Sequence, residues 1–319
     1  MDLKNDSRTK EVSFSFVMPA YKAKFLHKAI GSILNQTYRD FELIIINDAS
    51  PENLKEIVET FHDERIKYEV NKINIGGHDL VANWNHCIKF AKNEFIILAT
   101  DDDIFEPSFL SDAVSLINKY PDIDLIRSGV KKINEHEQIQ DREFPLQEFM
   151  TSREFTLFYA KGGTISCVSN YIFRKKSLLA IGGFISLPKA HYSDDATALA
   201  LSSNGVACMS NNNFNFRVSN INLSNRTDLE VVKEQLKATE QYMTWYIKHV
   251  KQLDITPGDF YVRACYGCYK ARYNTMIGNL VSKIPIYKIL LAIKAIYSNK
   301  HLFTKEKCKL FVSYLIDKL

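Results

Sequence analysis

The sequence lacks the features that identify a secreted or membrane-spanning protein. No stretch of its 319 residues reaches 18 uninterrupted apolar positions, and residues 1–11 are mostly polar and charged without an apolar segment. Its six cysteines are scattered rather than spaced as a disulfide framework. We therefore expect reduced thiols, neither a signal peptide nor a transmembrane helix, and a cytoplasmic location.

The sequence also lacks the motifs of several common enzyme classes. No Gly-x-Gly-x-x-Gly motif follows the first predicted strand and no Walker loop is present, which weighs against dinucleotide-dependent and P-loop enzymes. Cys265 and Cys268 have no second pair or suitably spaced histidine beside them, so they do not predict a zinc site. There is no Ser-His or Cys-His signature of a covalent nucleophile.

The net charge is small but unevenly distributed. The chain carries a formal charge of +4, and its 46% hydrophobic and 24% charged residues are typical of a globular protein with a sizeable core. Residues 283–319 contain eight lysines against Glu306 and Asp317, so this segment carries +6 and the remainder about −2. The asymmetry predicts a tail that meets an anionic surface, rather than a protein that binds nucleic acid.

An apolar segment that ends in three acids organises the chain. Residues 96–99 have the composition of a strand buried on both faces, and Asp101, Asp102 and Asp103 follow after one residue. These carboxylates are expected at the carboxyl edge of the sheet, where open α/β sheets bind ligands. Three adjacent acids suit Mg2+ or Mn2+, and the alternative is a solvated turn that caps the next helix.

Strands and helices alternate before this segment. In chain order, the pattern predicts a strand at 12–18, a helix at 25–36, a strand at 41–46, a helix that begins at Ser50-Pro51, a strand at 66–70 and a helix through 82–91. This order indicates βαβ units and an α/β fold with a mostly parallel sheet.

The predicted sheet brings two further polar side chains to the same edge. The ring of Tyr21 would cover a base, and Asp48 would accept hydrogen bonds from a base or ribose. The alternatives are that Asp48 caps its helix and that Tyr21 packs in the core. The acidic cluster would then lie where a metal-bound diphosphate binds.

Four segments resemble one enzyme family. They are Ser15-Phe-Val-Met-Pro-Ala-Tyr21, Ser32-Ile-Leu-Asn-Gln-Thr-Tyr38, Phe41-Glu-Leu-Ile-Ile-Ile-Asn-Asp48-Ala-Ser50 and Thr100-Asp-Asp-Asp-Ile104. Together they are similar to the nucleotide-binding half of inverting GT-A glycosyltransferases of family 2, over residues 12–220. The resemblance implies a Rossmann-like α/β fold and a UDP-sugar donor, with a dTDP-sugar as the second choice.

The resemblance also implies roles for the sheet-edge residues. Those expected to bind the donor nucleotide, with Asp48 facing the uracil or thymine ring, are Pro19, Ala20, Tyr21, Asp48 and Asp101. The residues expected to bind the cofactor, Mn2+ or Mg2+, are Asp102, as the principal ligand, and Asp103. The family more often has Asp-x-Asp-Asp, which puts Thr100 first, so the division of roles among the three acids stays open.

The second half of the chain is less regular. A strand is predicted over 123–130, a helical region over 134–160, and a strand that returns to the sheet within 161–174. A Gly-Gly-Phe turn and a variable loop then precede a helix that opens with Asp194 and Asp195. In the family this arrangement marks the acceptor side, so the resemblance implies Asp195 as the catalytic base and Asp194 as its partner. Helix capping alone is the alternative.

Four other residues are expected to contact the acceptor or the diphosphate, namely Gly183, Phe184, His191 and Arg217. The family often has an Arg-x-His sequence near the last of these. Here Ser219 replaces the histidine.

Three regions are predicted: a polar tail over 1–11, a GT-A catalytic domain over 12–225 and a C-terminal helical region over 226–319. Apolar residues repeat at helical spacing between Pro285 and Tyr297, while Lys288 and Lys294 take other positions. The pattern predicts a basic amphipathic helix, which either lies on an anionic membrane or packs on its own domain.

These expectations combine into one reaction. The metal offsets charge on the departing nucleoside diphosphate, and Asp195 removes a proton from an acceptor hydroxyl as it attacks, so that a single displacement inverts the anomeric carbon. The acceptor is expected to be a saccharide or lipid-linked saccharide of bacterial surface polysaccharide, lipopolysaccharide or capsule synthesis, at the inner face of the membrane. The alternatives are an inactive nucleotide-sugar-binding or scaffold protein of a membrane-associated assembly, and a nucleotidyltransferase.

Overall fold

The computed structural model describes residues 12–163, 165–219, 228–253 and 259–318. Its elements, in chain order, are β1 (Phe14–Ala20), α1 (Leu26–Leu34), β2 (Phe41–Asn47), α2 (Leu54–Glu59), β3 (Ile66–Val70), α3 (Leu80–Cys87), β4 (Phe95–Leu98), β5 (Ile104–Phe105), α4 (Phe109–Lys119), β6 (Leu125–Arg127), β7 (Val130–Ile133), β8 (Ile139–Arg142), β9 (Phe149–Met150), α5 (Ser152–Ala160), β10 (Tyr171–Arg174), α6 (Lys175–Ala180), α7 (Ser193–Ala200), β11 (Val206–Cys208), β12 (Phe214–Arg217), α8 (Leu229–Gln252), α9 (Phe260–Ser282), α10 (Ile289–Tyr297) and α11 (Thr304–Ile316).

A large mixed sheet forms the centre of the fold. Its strand order is β3-β2-β1-β4-β10-β6-β11-β9. The strands β3, β2, β1 and β4 are parallel, whereas β10 is antiparallel to both of its neighbours. The α/β fold class with a Rossmann-like parallel half is therefore confirmed, and β4, which precedes the three acids, lies in the interior of the sheet.

Alternate side chains of the central strands supply two cores, one on each face of the sheet. Phe16 and Met18 pack with helices α1 and α4, while Val17 between them packs with α3 on the opposite face. Successive side chains of a strand point to opposite faces, so a strand covered on both sides is apolar throughout. This is why the central strands are continuous apolar runs in the sequence.

The C-terminal helices are part of the second core. Helices α8 and α9 pack on each other and α9 packs on α5. Tyr242 and Tyr246 of α8 and Tyr269 and Tyr273 of α9 are fully buried in the same hydrophobic cluster as residues of β4, so these helices pack against the sheet. Helix α10 buries Ala292 and Ile296, but Leu290 on the same helix is 78% exposed.

Among the described residues, no single helix is both long and apolar enough to cross a membrane. Helices α9 and Ile286–Tyr297 reach that threshold only when taken together, and the chain bends by 110° between them.

Two local predictions were wrong. The second helix begins at Leu54 rather than at Ser50, because the Ser50 hydroxyl donates to the carbonyl of Tyr21 at 2.6 Å and Asn53 caps the helix. Residues 134–160 are not one helical region, since β8 and β9 precede α5. The side chain of Asn134 accepts hydrogen bonds from the backbone of His136 and Gln138, which forms a turn instead of a helix.

The strand predicted over 123–130 is divided. Its first part is β6 in the large sheet, and its end begins β7 in a second sheet of order β5-β12-β7-β8. The predicted tail over 1–11 and the predicted boundary at 225 lie outside the described residues.

Candidate active site

The acidic turn after β4 is tied to the end of β1. Asp101 is buried, and its Oδ2 accepts hydrogen bonds from the backbone N–H groups of Tyr21 and Lys22, each at 2.8 Å. Burial, followed by the charge of Asp102, raises the pKa of Asp101 to about 6. The structure therefore brings two site residues predicted from the sequence together, because the Asp101 carboxylate binds the backbone of Tyr21.

Asp103 is held by Arg217 from the smaller sheet. Its Oδ1 accepts from the Arg217 backbone N–H at 2.8 Å, and its Oδ2 accepts from the hydroxyl of Thr100. Arg217 is fully buried, its Nε donates to the Asp102 carbonyl at 2.7 Å, and its guanidinium lies 4.4 Å from the centre of the Phe25 ring. These internal bonds hold both side chains, and the metal and diphosphate contacts expected for them stay predictions.

Asp102 has a different place in the turn. Burial raises the pKa of its carboxyl, while the charge of Lys22 and the hydroxyl of Thr100 oppose that rise. In the part of the chain that the structure describes, no group of three or more Asp, Glu, His or Cys side chains is arranged to hold a metal ion. One carboxylate completed by phosphate oxygens and water is a ligand set that Mg2+ accepts, so Asp102 fits a metal that binds together with a diphosphate.

Asp48 anchors the loop that follows β3. Its Oδ1 accepts from the Asn71 amide at 2.7 Å and the Ile75 N–H at 2.9 Å, and its Oδ2 accepts from the Gly76 N–H at 2.7 Å. The Asp48 N–H donates to the carbonyl of Ala20 at 2.9 Å, which places Asp48 beside the end of β1. Asp48 therefore reaches the predicted edge, and it orders a loop there rather than capping a helix.

Tyr21 projects from that edge. Pro19 and Ala20 are the last residues of β1 and pair with Ile46 and Asn47 of β2. The side chain of Tyr21, which follows them, is 39% exposed. This exposure favours a contact with a ligand over packing in the core.

The Gly-Gly-Phe turn is clamped by helix α3. The side-chain oxygen of Asn85 accepts from the Phe184 N–H at 2.7 Å, and its amide donates to the Phe184 carbonyl at 3.0 Å. A Cβ at Gly183, where φ is +90°, would lie 2.3 Å from the Asn85 oxygen. The ring of Phe184 is buried against Trp84 and Phe173, so this turn is built for packing, in contrast to the ligand contact expected for it.

A strained segment leads into helix α7. Lys189, Ala190 and Tyr192 have positive φ values of 53°, 58° and 67°. Residues with a side chain rarely adopt this conformation, and such strain is concentrated at functional sites. The ring of His191, within this segment, contacts that of Tyr192 at 4.0 Å between ring centres, with the two planes tilted by 54°. Burial, followed by the charge of Lys283, lowers the pKa of His191 to about 4. His191 is therefore neutral at pH 7.

Asp194 and Asp195 form an unequal pair at the start of α7. Burial raises the pKa of both, and the charge of Asp195 helps to raise that of Asp194 to about 8. Four groups favour the ionised form of Asp195, namely the hydroxyls of Ser166 and Tyr159 and the charges of Arg272 and Arg127. Asp194 therefore holds a proton at neutral pH, and Asp195 is the member of the pair whose ionised form its surroundings favour.

The thiol of Cys167 interacts with the charges of both acidic sites. Burial raises the pKa of Cys167 well above its usual range, and the charges of Asp103 and Asp194 both add to this effect. The charges of the acidic turn and of the start of α7 therefore both act on this thiol.

The sequence reasoning missed most of the groups that surround Asp195. Tyr159 in α5, Tyr242 in α8 and Arg272 in α9 all interact with its charge. No spacing pattern could have linked these residues, because the contact between Arg272 and Tyr159 spans 113 positions.

Comparisons with known proteins agree with this architecture. WfgD of Escherichia coli, described as a UDP-Glc:alpha-D-GlcNAc-diphosphoundecaprenol beta-1,3-glucosyltransferase, is 33% identical over 106 residues, which cover 33% of this chain and 41% of WfgD. The matched regions span less than half the length of the curated relatives.

Solved structures resemble the whole chain. TarS 1–349 of S. aureus in complex with UDP-GlcNAc has a TM-score of 0.64 at 16% identity, and the match covers 96% of this chain and 88% of that one. A mannosyltransferase, PcManGT from Pyrobaculum calidifontis in complex with GDP-Man and Mn2+, has a TM-score of 0.51 at 12% identity, with coverage of 97% and 88%. These likenesses show the GT-A fold with its C-terminal helices.

The family itself is shown by the sequence. The model of Glycosyl transferase family 2 matches residues 15–182, which is more than half of the chain, includes nearly all of β1 and the acidic turn, and ends at Gly182. The chain therefore belongs to glycosyl transferase family 2, a family of nucleotide-sugar glycosyltransferases.

Proposed function

We propose that this protein transfers a sugar from a UDP-sugar to an acceptor hydroxyl, with inversion and with dependence on a divalent metal. The observation that carries the proposal is that the fold holds two buried acidic sites whose charges both act on Cys167. Asp102 would meet a metal-bound diphosphate at the first site, and Asp195 at the second is a buried carboxyl whose ionised form the charge of Arg272 favours, beside Asp194 with a pKa raised to about 8.

The choice of donor rests on the sheet edge and on the relatives. Tyr21 and Asp48 lie together where a base and ribose would bind. WfgD is named for UDP-Glc, and TarS was solved with UDP-GlcNAc. A UDP-sugar is therefore the first candidate and a dTDP-sugar the second.

Asp102 is the residue that would hold the metal, Mn2+ or Mg2+, together with the donor. When bound, the metal would offset negative charge on the departing diphosphate. Asp101 and Asp103 would keep the turn in place through their bonds to the main chain at Tyr21 and Arg217. The single available carboxylate predicts that the metal binds weakly without nucleotide.

Asp195 would act on the acceptor. It would take the proton of the acceptor hydroxyl while the oxygen attacks the anomeric carbon opposite the leaving group. One such displacement inverts the configuration without a covalent intermediate. Asp194, protonated at neutral pH, would not compete for that proton.

The acceptor is proposed to be a saccharide or lipid-linked saccharide of bacterial surface polysaccharide synthesis. The name of WfgD includes a diphosphoundecaprenol-linked sugar, which supports the lipid-linked class. Tyr287 and Leu290, both 78% exposed, flank Lys288 in the segment that carries +6. Exposed apolar side chains among lysines suit an anionic membrane, so we place the protein at the inner face of the cell membrane.

A transfer assay tests the function. The protein is incubated with labelled UDP-sugars and a membrane extract, with Mn2+ or with EDTA, and both UDP and labelled product are measured. We expect transfer with Mn2+, none in EDTA, and a turnover for Asp195→Asn that is lower by roughly 100- to 10,000-fold. UDP-sugar binding without turnover would favour an inactive binding protein. Release of pyrophosphate from UTP and a sugar phosphate would favour a nucleotidyltransferase.

A further inference from the structure

Several buried oxygen atoms around Asp195 make no hydrogen bond within the described ranges. They are the Oδ1 atom of Asp195 and the hydroxyl oxygens of Tyr159, Tyr242 and Tyr269. Burial raises the pKa of each tyrosine, and the charge of Asp195 adds to that effect. Buried polar atoms are nearly always hydrogen-bonded, so such a cluster around one carboxylate requires an explanation.

Arg272 joins this cluster from the C-terminal region. Its Nη1 donates to the backbone carbonyl of Tyr159 at 2.7 Å, and its guanidinium carbon lies 4.9 Å from the centre of the Tyr159 ring. Its charge also favours the ionised form of Asp195. One arginine of α9 therefore fixes the tyrosine and acts on the carboxylate.

We propose that Tyr159 and Arg272 are positioning residues for Asp195, so that helix α9 completes the catalytic site. This inference rests on the proposed role of Asp195 as the base. The Tyr159 hydroxyl favours the ionised form of Asp195, although neither this hydroxyl nor Oδ1 of Asp195 has a hydrogen-bond partner in the described residues. Hydrogen bonds between catalytic groups often tighten only when substrate binds. A bond from Tyr159 to Oδ1 would leave Oδ2 for the acceptor hydroxyl.

The other groups that face Asp195 are less suited to this task. Arg127 of β6 is already paired with Glu143 at 2.8 Å, and the hydroxyl of Tyr171 in β10 lies 3.1 Å from that of Ser166. Arg272 forms no ion pair with a carboxylate in the described part of the chain. Its charge is therefore the one that a single substitution removes most cleanly.

Two more groups belong to the same segment as Asp195. They are Asp194, which is protonated at neutral pH, and Tyr192, which stacks on Tyr242 at 4.9 Å between ring centres. Neither residue carries a positive charge, so neither can replace Arg272 beside the Asp195 carboxylate.

The first test is the pH profile of sugar transfer. For Tyr159→Phe, kcat is expected to fall roughly 10- to 100-fold, as for a lost hydrogen bond to a charged group, with the donor KM unchanged. Arg272→Gln removes a positive charge and therefore raises the pKa of Asp195, so the acidic limb of kcat moves to higher pH. Arg272→Lys should restore the limb. Tyr246→Phe is the matched control, because its buried hydroxyl reaches the Cys265 carbonyl instead.

The second test does not need activity. The pH dependence of the melting temperature is measured for the parent, Asp195→Asn, Arg272→Gln and the double variant. If Arg272 stabilises the carboxylate, Asp195→Asn raises the melting temperature more in the Arg272→Gln background than in the parent. If the melting temperatures show this coupling between Asp195 and Arg272 but neither the parent nor any variant transfers sugar, the proposed function would be overturned. Normal turnover and an unshifted acidic limb in Arg272→Gln, without coupling, would overturn this inference alone.

Discussion

The backbone N–H of Arg217 donates a hydrogen bond of 2.8 Å to the buried carboxylate of Asp103. This contact joins strand β12 of the smaller sheet to the turn at the end of β4. Because Asp101 holds the other side of the turn through the backbone of Tyr21, the three acids are not equivalent. Two of them shape the turn, and Asp102 remains for a ligand.

Asp103→Ala and Asp102→Ala are therefore expected to behave in opposite ways. Asp103→Ala leaves the buried N–H of Arg217 without an acceptor, which costs about 1–3 kcal/mol of unfolding free energy. Asp102→Ala should leave the stability nearly unchanged and abolish the Mn2+-dependent part of UDP binding. Denaturant unfolding and calorimetric titration with and without EDTA measure the two effects. Equal loss of stability in both variants would contradict the division of roles.

Gly183 offers a test of the clamp formed by Asn85. Gly183→Ala places a methyl group against the Asn85 oxygen at a φ of +90°, whereas Gly182→Ala has a φ of +88° with nothing within 4 Å of the new Cβ. Both variants should lose about 1 kcal/mol from backbone strain, and Gly183→Ala should lose roughly 1–3 kcal/mol more from the clash. Thermal unfolding of the pair isolates the clash. Equal melting temperatures would show that the turn can move away from α3.

Only those site residues that directly follow a predicted strand could be located from the sequence. Asp48 and Asp101 follow apolar strands, and a parallel sheet necessarily brings such ends to one edge. The partners of these acids could not be predicted in the same way. Arg217 meets Asp103 across 114 positions, and Arg272 meets Tyr159 across 113, through packing of elements that share no local pattern. Phe184 and Arg217 make bonds inside the fold, and the ligand contacts expected for them stay predictions.

The exposed apolar side chains of the C-terminal segment are expected to support membrane binding. Leu290→Ser should weaken sedimentation with anionic liposomes by roughly tenfold or more, since burial of a leucine contributes about 1.5–3 kcal/mol. Binding by the parent should fade as salt rises, because lysines contribute to it. Phe144→Ser is the control, since that side chain is 88% exposed in the catalytic domain. An equal effect of both substitutions would argue against a specific membrane face.

Asp195→Asn separates the catalytic role from helix capping. The folded-state pKa of Asp195 is raised by burial, so its ionisation costs stability at pH values above that pKa, and the cost disappears below the unfolded pKa of about 4. The parent should therefore lose stability as pH rises from the unfolded pKa of about 4 through the raised folded-state pKa, and Asp195→Asn should lose less. At neutral pH the variant should be at least as stable as the parent, while turnover falls by roughly 100- to 10,000-fold.

Asp194→Asn is the matched control in the same helical turn. Asparagine resembles the protonated carboxyl that Asp194 holds at neutral pH, so this variant should keep much more activity than Asp195→Asn. Donor affinity, measured by titration with UDP, should be unchanged in both. A purely capping role for Asp195 would reverse the pattern, with a stability loss of about 1 kcal/mol or less and nearly normal turnover. A fully active and slightly destabilised Asp195→Asn protein would therefore exclude Asp195 as the base that deprotonates the acceptor.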